Sequence, residues 1–154
     1  GSEMCIRDRE DGSRVAIANS LWVLMDLKKN RPMIVTPEIG DVYGTHEPLE
    51  MDYAPRKIKV PEGGVKGRKF VVQESQLDTN HHVNNGQYIR LAVNVLPIDF
   101  EVSEFRAEFR LAAKMGDTMY IRTASENGKF YVVFTDKEEN PYFLSEFTPT
   151  KNGE

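Results

Sequence analysis

Between Tyr88 and Leu96 the chain is apolar at Tyr88, Ile89, Leu91, Ala92, Val93, Val95 and Leu96, and only Gln87, Arg90 and Asn94 leave a narrow polar stripe. A helix with so little polar surface must be enclosed by other elements rather than rest on them. Asn84 or Asn85 suits the N-cap and Pro97 ends the segment. That span gives a helix about 20 Å long at ~1.5 Å per residue. The segments after it read as strands. Residues 100–113 place Phe105, Ala107, Phe109 and Leu111 on one face and Glu104, Arg106, Glu108 and Arg110 on the other. The charged side is expected to be a solvated strand face with cross-strand ion pairs. Gly116-Asp117 turns the chain into residues 118–125, and Asn127-Gly128 is a two-residue hairpin signal leading to residues 130–136. Asn140-Pro141 marks the next turn, and residues 142–147 the last strand. One enclosed helix and a meander of strands predict an α+β domain in which an antiparallel sheet curls around the helix.

The chain before the helix is less uniform. Residues 1–9 have neither periodicity nor a cap and are expected to be foreign or disordered. Asp11-Gly12 is a turn signal. From Arg14 to Leu27 both parities are largely apolar, which predicts a strand buried on both sides. Residues 36–67 hold Pro37, Gly40, Gly44, Pro48, Pro55, Pro61, Gly63, Gly64 and Gly67. They read as a linker with at most a helical turn and a short strand at residues 57–60. The expected units are therefore 10–35, the linker 36–67, and a complete domain over 68–150 that a strand at residues 68–74 opens.

Five polar, chemically capable side chains crowd the stretch before the helix: Asp78, Asn80, His81, His82 and Asn84. Free N–H groups and the positive dipole end at a helix N-terminus favour a developing negative charge. His82 suits a general base near neutrality. Asn80 can donate to a carbonyl or hold a water, and Asp78 can accept from Asn80 or His82 and fix its orientation. The backbone N–H groups at Val83 and Asn84 are the expected oxyanion donors. Asp and Asn also favour turns and caps, so a purely structural loop is the competing reading. His81 is expected to face solvent. A metal site at His46, His81 and His82 is not expected, because adjacent histidines point different ways and no carboxylate spacing supports them.

The string Asp78-x-Asn80-x-His82-Val83-Asn84-Asn85, with Tyr88-Ile89 and Pro97 behind it, resembles the acyl-ACP thioesterases of plants and bacteria. Those are tandem hotdog proteins that release fatty acids from acyl carrier protein. Asp11-Gly12, Ser20-Leu21-Trp22 and Asp26 resemble the last strand region of the family's first hotdog, so residues 10–35 are expected to be its C-terminal remnant. The resemblance implies a hotdog fold, a catalytic network at Asp78, Asn80 and His82, and acyl carrier protein bearing an acyl-phosphopantetheine as partner. It implies no cofactor. The family's usual Glu before the Gly-Asp turn falls here at Ala112, which cannot accept a proton. Glu108 shares its parity but lies about 13 Å away at ~3.3 Å per residue. An acyl-CoA hotdog thioesterase and a non-catalytic acyl-binding hotdog are the alternatives.

Composition excludes other classes. Over 154 residues the net charge is −4, and no basic-aromatic stripe invites nucleic acid. Arg56, Lys57, Lys59, Lys66, Arg68 and Lys69 could meet an acidic carrier, though a solvated loop face is the simpler reading. The single Cys5 excludes an internal disulfide framework, and no apolar run reaches the ~20 residues of a membrane span. The expected setting is cytoplasmic. A two-sided apolar strand left unpaired is an association hazard, so the chain is expected either to form a homodimer through its hotdog surface or to aggregate through the remnant strand.

Overall fold

The computed structural model describes residues 2–7, 11–26, 28–29, 31–44 and 47–150. The chain divides into two compact units, Gly1–Ala54 and Pro55–Glu154.

In the first unit, strand β1 (Ser2–Arg7) pairs antiparallel with β2 (Arg14–Ser20). The expectation of disorder over residues 1–9 therefore fails for Ser2–Arg7; Gly1, Asp8 and Arg9 lie outside the described residues. The turn at Asp11-Gly12 forms with Gly12 at φ 73°, and the Ser13 N–H donates to the Asp11 carboxylate at 2.6 Å. The long buried strand expected over residues 14–27 does not form. β2 stops at Ser20, and Ile17 is its one half-buried residue. Among the described residues its ladder partner is β1 alone, so apolar side chains of both parities have no layer to enter. Trp22 is 77% exposed. Two short strands follow, β3 (Met25–Asp26) and β4 (Arg31–Pro32), joined by a turn in which Asp26 accepts from the N–H groups of Lys28 and Lys29. Helix α1 (Pro37–Tyr43) starts on a proline in its first turn and ends at Gly44, φ 67°. Part of the expected linker is thus a helix of the first unit.

The second unit is a five-stranded antiparallel sheet: β5 (Val65–Val71), β6 (Val102–Phe109), β7 (Thr118–Glu126), β8 (Lys129–Thr135) and β9 (Pro141–Pro149), in the spatial order β5-β7-β8-β9-β6. The hairpin at Asn127-Gly128 has both residues at positive φ, 51° and 78°, as a two-residue turn between twisted strands requires. Helix α2 (Asn85–Val93) lies against one face of the sheet. Phe134, Phe143 and Phe147 point to that side with Met119 and Val132, and pack with Tyr88 and Ala92 of α2. The Tyr88 ring stacks on Phe134 and Phe143 at centroid separations of 6.3 and 5.4 Å. This is a hotdog arrangement, an α+β sheet curled over a helix.

Two expectations change here. The helix spans nine residues, about 14 Å at ~1.5 Å per residue, with Asn84 as its cap. It is buried along one face only: Tyr88 and Ala92 are enclosed, while Val93 is 48% exposed. The sheet covers a single side, and residues 94–96 continue as a tighter turn through hydrogen bonds to Ala92 and Val93.

Residues 55–64, expected to be linker, form an outer layer of the second unit. They carry no strand at residues 57–60. Ile58 and Val60 pack on Tyr131, Val133, Leu144 and Ala124, on the sheet face away from α2, while Lys57 and Lys59 face outward. Alternation thus reflects one side lying on a sheet without joining its ladder. Polar groups of the sheet take the segment's backbone instead: Glu108 accepts from Ile58 N at 3.1 Å, Arg106 donates to the Pro55 carbonyl, and Arg122 to the Pro61 carbonyl at 3.4 Å. Gly64 has to be glycine, because a Cβ there would lie 2.5 Å from the Thr123 carbonyl oxygen. Beneath the layer, Arg106 and Lys129 pair with Glu146 at 3.2 and 2.9 Å. The charged face of β6 therefore does carry a cross-strand ion pair, but a covered one, with Glu146 only 5% exposed.

Candidate active site

The end of β5 leads through a single turn of 3-10 helix (Glu74–Gln76) into a tight loop closed by the Leu77–Val83 bridge. Asp78 builds this loop. Its backbone N–H donates to the His82 carbonyl at 2.7 Å, and its carbonyl accepts from His81 N at 3.0 Å. Its carboxylate accepts from the N–H groups of Asn80 and His82, at 2.8 and 3.2 Å. A short acidic side chain that can reach back to backbone two and four residues on is what such a turn selects. The loop also holds His81 in the left-handed region, φ 58°.

The same contacts set the electrostatics. The His82 N–H bond holds the Asp78 carboxyl below the usual carboxylate range, helped by the Asn80 backbone, the charge of the His82 ring and the Asn80 side chain, and opposed by partial burial. Asp78, Asn80 and His82 are thus brought together around one carboxylate. Asn80 is exposed and His82 half-buried. Beside them lies an open depression of about 420 Å³, lined by Glu74, Leu77, Asp78, His81, Lys114 and Met115. His81 is exposed as expected, and it, rather than His82, lines the depression.

The proposed oxyanion donors are a correction. Val83 N donates to the Ala113 carbonyl at 2.9 Å, and Asn84 N to the Gln76 carbonyl at 2.9 Å. Both N–H groups already hold the loop to its neighbours. The Val83 side chain is core, and the Asn84 side chain caps α2 by accepting from Gly86 N at 2.8 Å. Sequence position gave their closeness to the helix start but not these long-range acceptors.

Ala112 lies past the end of β6, exposed, one residue before the Ala113 that is bonded to Val83. Glu108 does not take that place: its carboxylate is occupied by Ile58 N and by Arg110 at 2.8 Å, on the sheet face away from α2.

Two residues of the site region escape a sequence reading. Tyr88, read there as core, has a buried hydroxyl that accepts from Ala113 N at 3.1 Å. Asp117, read as part of a turn, accepts from Lys114 N at 2.8 Å, and its charge acts on the Tyr142 phenol. Burial raises both phenols, with the Asp117 charge adding to it. The usable signal was the polar tip of a tyrosine placed in a core helix, since buried Tyr hydroxyls find partners. Among the described residues no group of three or more His, Cys, Asp or Glu side chains could hold a metal ion, and His46 lies outside them. No helix among them is long and apolar enough to cross a membrane.

A family model described as the acyl-ACP thioesterase C-terminal domain matches residues 62–141, which include the whole loop and α2. A chloroplastic acyl-[acyl-carrier-protein] hydrolase, FATB1 of Cuphea viscosissima, is 29% identical over 140 residues, covering 82% of this chain and 33% of the relative. The chain thus spans about a third of the length of that curated relative. Among solved structures, an acyl-ACP thioesterase from Bacteroides thetaiotaomicron superposes with a TM-score of 0.82 at 20% identity, over 95% of this chain and 60% of that one. The 12:0-ACP thioesterase of Umbellularia californica superposes with a TM-score of 0.69 at 17% identity, over 96% of this chain and 60% of that one.

Proposed function

This chain belongs to the acyl-ACP thioesterase C-terminal domain family, and on that premise we propose that it hydrolyses the thioester of acyl-acyl carrier protein, releasing a fatty acid. The observation that carries the reading is the Asp78 carboxylate, which gathers Asn80 and His82 into one loop at the mouth of α2. In the proposed reaction His82 takes a proton from water, and the water oxygen attacks the thioester carbonyl. Asn80 donates to the carbonyl oxygen as it gains charge. Asp78 holds the loop, and its charge favours the imidazolium that forms. The C–S bond then breaks, and the imidazolium returns the proton to the thiolate of the phosphopantetheine. A positioned base of this kind contributes ~10²–10⁴-fold. The partner is the carrier protein, presenting its acyl-phosphopantetheine. We assign the activity to a cytoplasmic setting, which the single cysteine supports. Self-association into a homodimer is part of the proposal, because Val93 and Ile98 leave apolar surface on the helix side.

Matched acyl-ACP and acyl-CoA substrates test the reading. Fatty acid released in preference from the carrier protein is the expected result. Preference for acyl-CoA would overturn the choice of carrier, and no release from either would overturn the hydrolase reading. One observation favours a second reading, an acyl-binding domain without turnover: residue 112, where the family resemblance implies a carboxylate, is an alanine. Ala112→Glu is expected to raise hydrolysis if the site lacks only that group. Unchanged turnover with the fold intact would count against a place for residue 112 in the site.

A further inference from the structure

The peptide that joins His82 to Val83 is held at both ends. Its carbonyl accepts from Asp78 N at 2.7 Å, and its N–H donates to the Ala113 carbonyl at 2.9 Å. The first anchor lies inside the loop and is as mobile as the loop itself. The second comes from outside, so the rigidity of the His82 backbone depends on what holds Ala113. Ala113 is fully buried and sits in a strand-free stretch between β6 and β7, with no ladder to fix it. Its N–H donates to the Tyr88 hydroxyl at 3.1 Å. Tyr88 is itself immobilised: it is 2% exposed, its ring stacks on Phe134 and Phe143, and Phe109 packs against it edge-on at 6.0 Å. The remainder of the stretch is tied at its other end. Asp117 N donates to the Lys114 carbonyl, its carboxylate accepts from Lys114 N, and Gly116 N donates to the Val72 carbonyl.

We propose that Tyr88 is a positioning residue for His82, acting through its hydroxyl on Ala113 and through Ala113 on the His82–Val83 peptide. The helix that carries the core also sets the register of the loop in front of it. The same hydroxyl fixes the Ala112–Ala113 peptide, so residue 112 and His82 are referred to one rigid point. Displacement of a reacting group by a fraction of an ångström lowers the fraction of bound substrate in attack geometry without weakening its binding. Loss of the hydroxyl should therefore act on kcat rather than KM. The kinetic part rests on the hydrolase reading given above.

The test is Tyr88→Phe in the full chain, which keeps the ring and removes the acceptor. Turnover of acyl-ACP is expected to fall about tenfold in kcat with KM within about twofold. Amide exchange at Val83 should quicken while that at Val132, in the middle of β8, stays as in the native chain. Val132→Ala serves as the packing control, since it loosens the core without touching the clamp. Its kcat per folded molecule should match the native value. The proposal is overturned if Tyr88→Phe leaves kcat and Val83 exchange unchanged, or if Val132→Ala lowers kcat as far. Should the native chain release no fatty acid, the hydrolase reading fails by itself, and the Val83 exchange rate alone upholds or overturns the clamp.

Discussion

The two faces of the five-stranded sheet are buried by different means. Toward α2 the cover is aromatic: Phe134, Phe143 and Phe147 interlock with Tyr88 and Phe105, and the buried polar side chain there, Ser145, is satisfied by the Val132 carbonyl at 2.8 Å. On the opposite face the cover is a segment without secondary structure, residues 55–64, seated by Ile58 and Val60 and pinned by Arg106, Glu108 and Arg122. One face gains from area removed from water. The other couples a small apolar contact to charges that must themselves be satisfied once covered. The lesson is that a polar strand face need not be a wet one. Arg106 and Glu146 are direct cross-strand partners, and the layer over them turns a surface pair into a half-enclosed one.

Substitutions should separate the two faces by size. Phe143→Ala removes a fully buried ring that touches Tyr88, Phe109 and Phe134. Chemical denaturation should show a loss of about 3–5 kcal/mol. Ile58→Ala should cost about 2 kcal/mol, the low end for such a change, because a strap without a ladder can settle into the gap. Equal losses at the two sites would mean the outer layer is as rigid as the core. Glu146→Gln should cost about 1–2 kcal/mol, by weakening charged hydrogen bonds to Lys129 and Arg106.

Acid should reach the outer face through Glu146. Burial pushes the Glu146 carboxyl up, but Lys129 and Arg106 outweigh it and hold the group below its ordinary value. A carboxyl lowered on folding contributes stability that is present above its unfolded value and is lost as pH falls through the folded one. Stability measured downward from pH 5 should decline in the native chain and decline less steeply in Glu146→Gln. Parallel curves would remove Glu146 from the account. Tyr131 marks the alkaline side of the same cluster: burial, with the Glu146 carboxylate, pushes its phenol up to about 12. Its absorbance should not titrate with the exposed tyrosines.

What could be read from the sequence follows the same division. The helix-side face was legible in β6, where Phe105, Ala107 and Phe109 alternate with Glu104, Arg106 and Glu108, and Asn127-Gly128 names its own turn. The loop at Asp78 was legible as chemistry because its residue types serve both turn and site. Long-range hydrogen bonding was not. Nothing near Val83 or Asn84 says that their N–H groups are taken by Ala113 and Gln76, 30 residues onward and 8 back. Nor does apolar content decide burial. Residues 14–20 read as an enclosed strand, yet a two-stranded ladder gives them no covering layer, whereas Val132 and Val133 of β8 are buried on both sides by α2 and by the strap. A sequence supplies the side chains a strand would bury, and only the fold supplies what buries them.

The central claim is that His82, held by Asp78, does the chemistry, and that His81 beside it does not. The most direct measurement is single-turnover release of free fatty acid from acyl-ACP by the native chain, His82→Ala and His81→Ala, each checked for an unchanged melting temperature. The expected result is release by the native chain and by His81→Ala at comparable rates, with His82→Ala slower by about 10²-fold or more. Full activity in His82→Ala with loss in His81→Ala would contradict it, and would move the base to the histidine that lines the open depression.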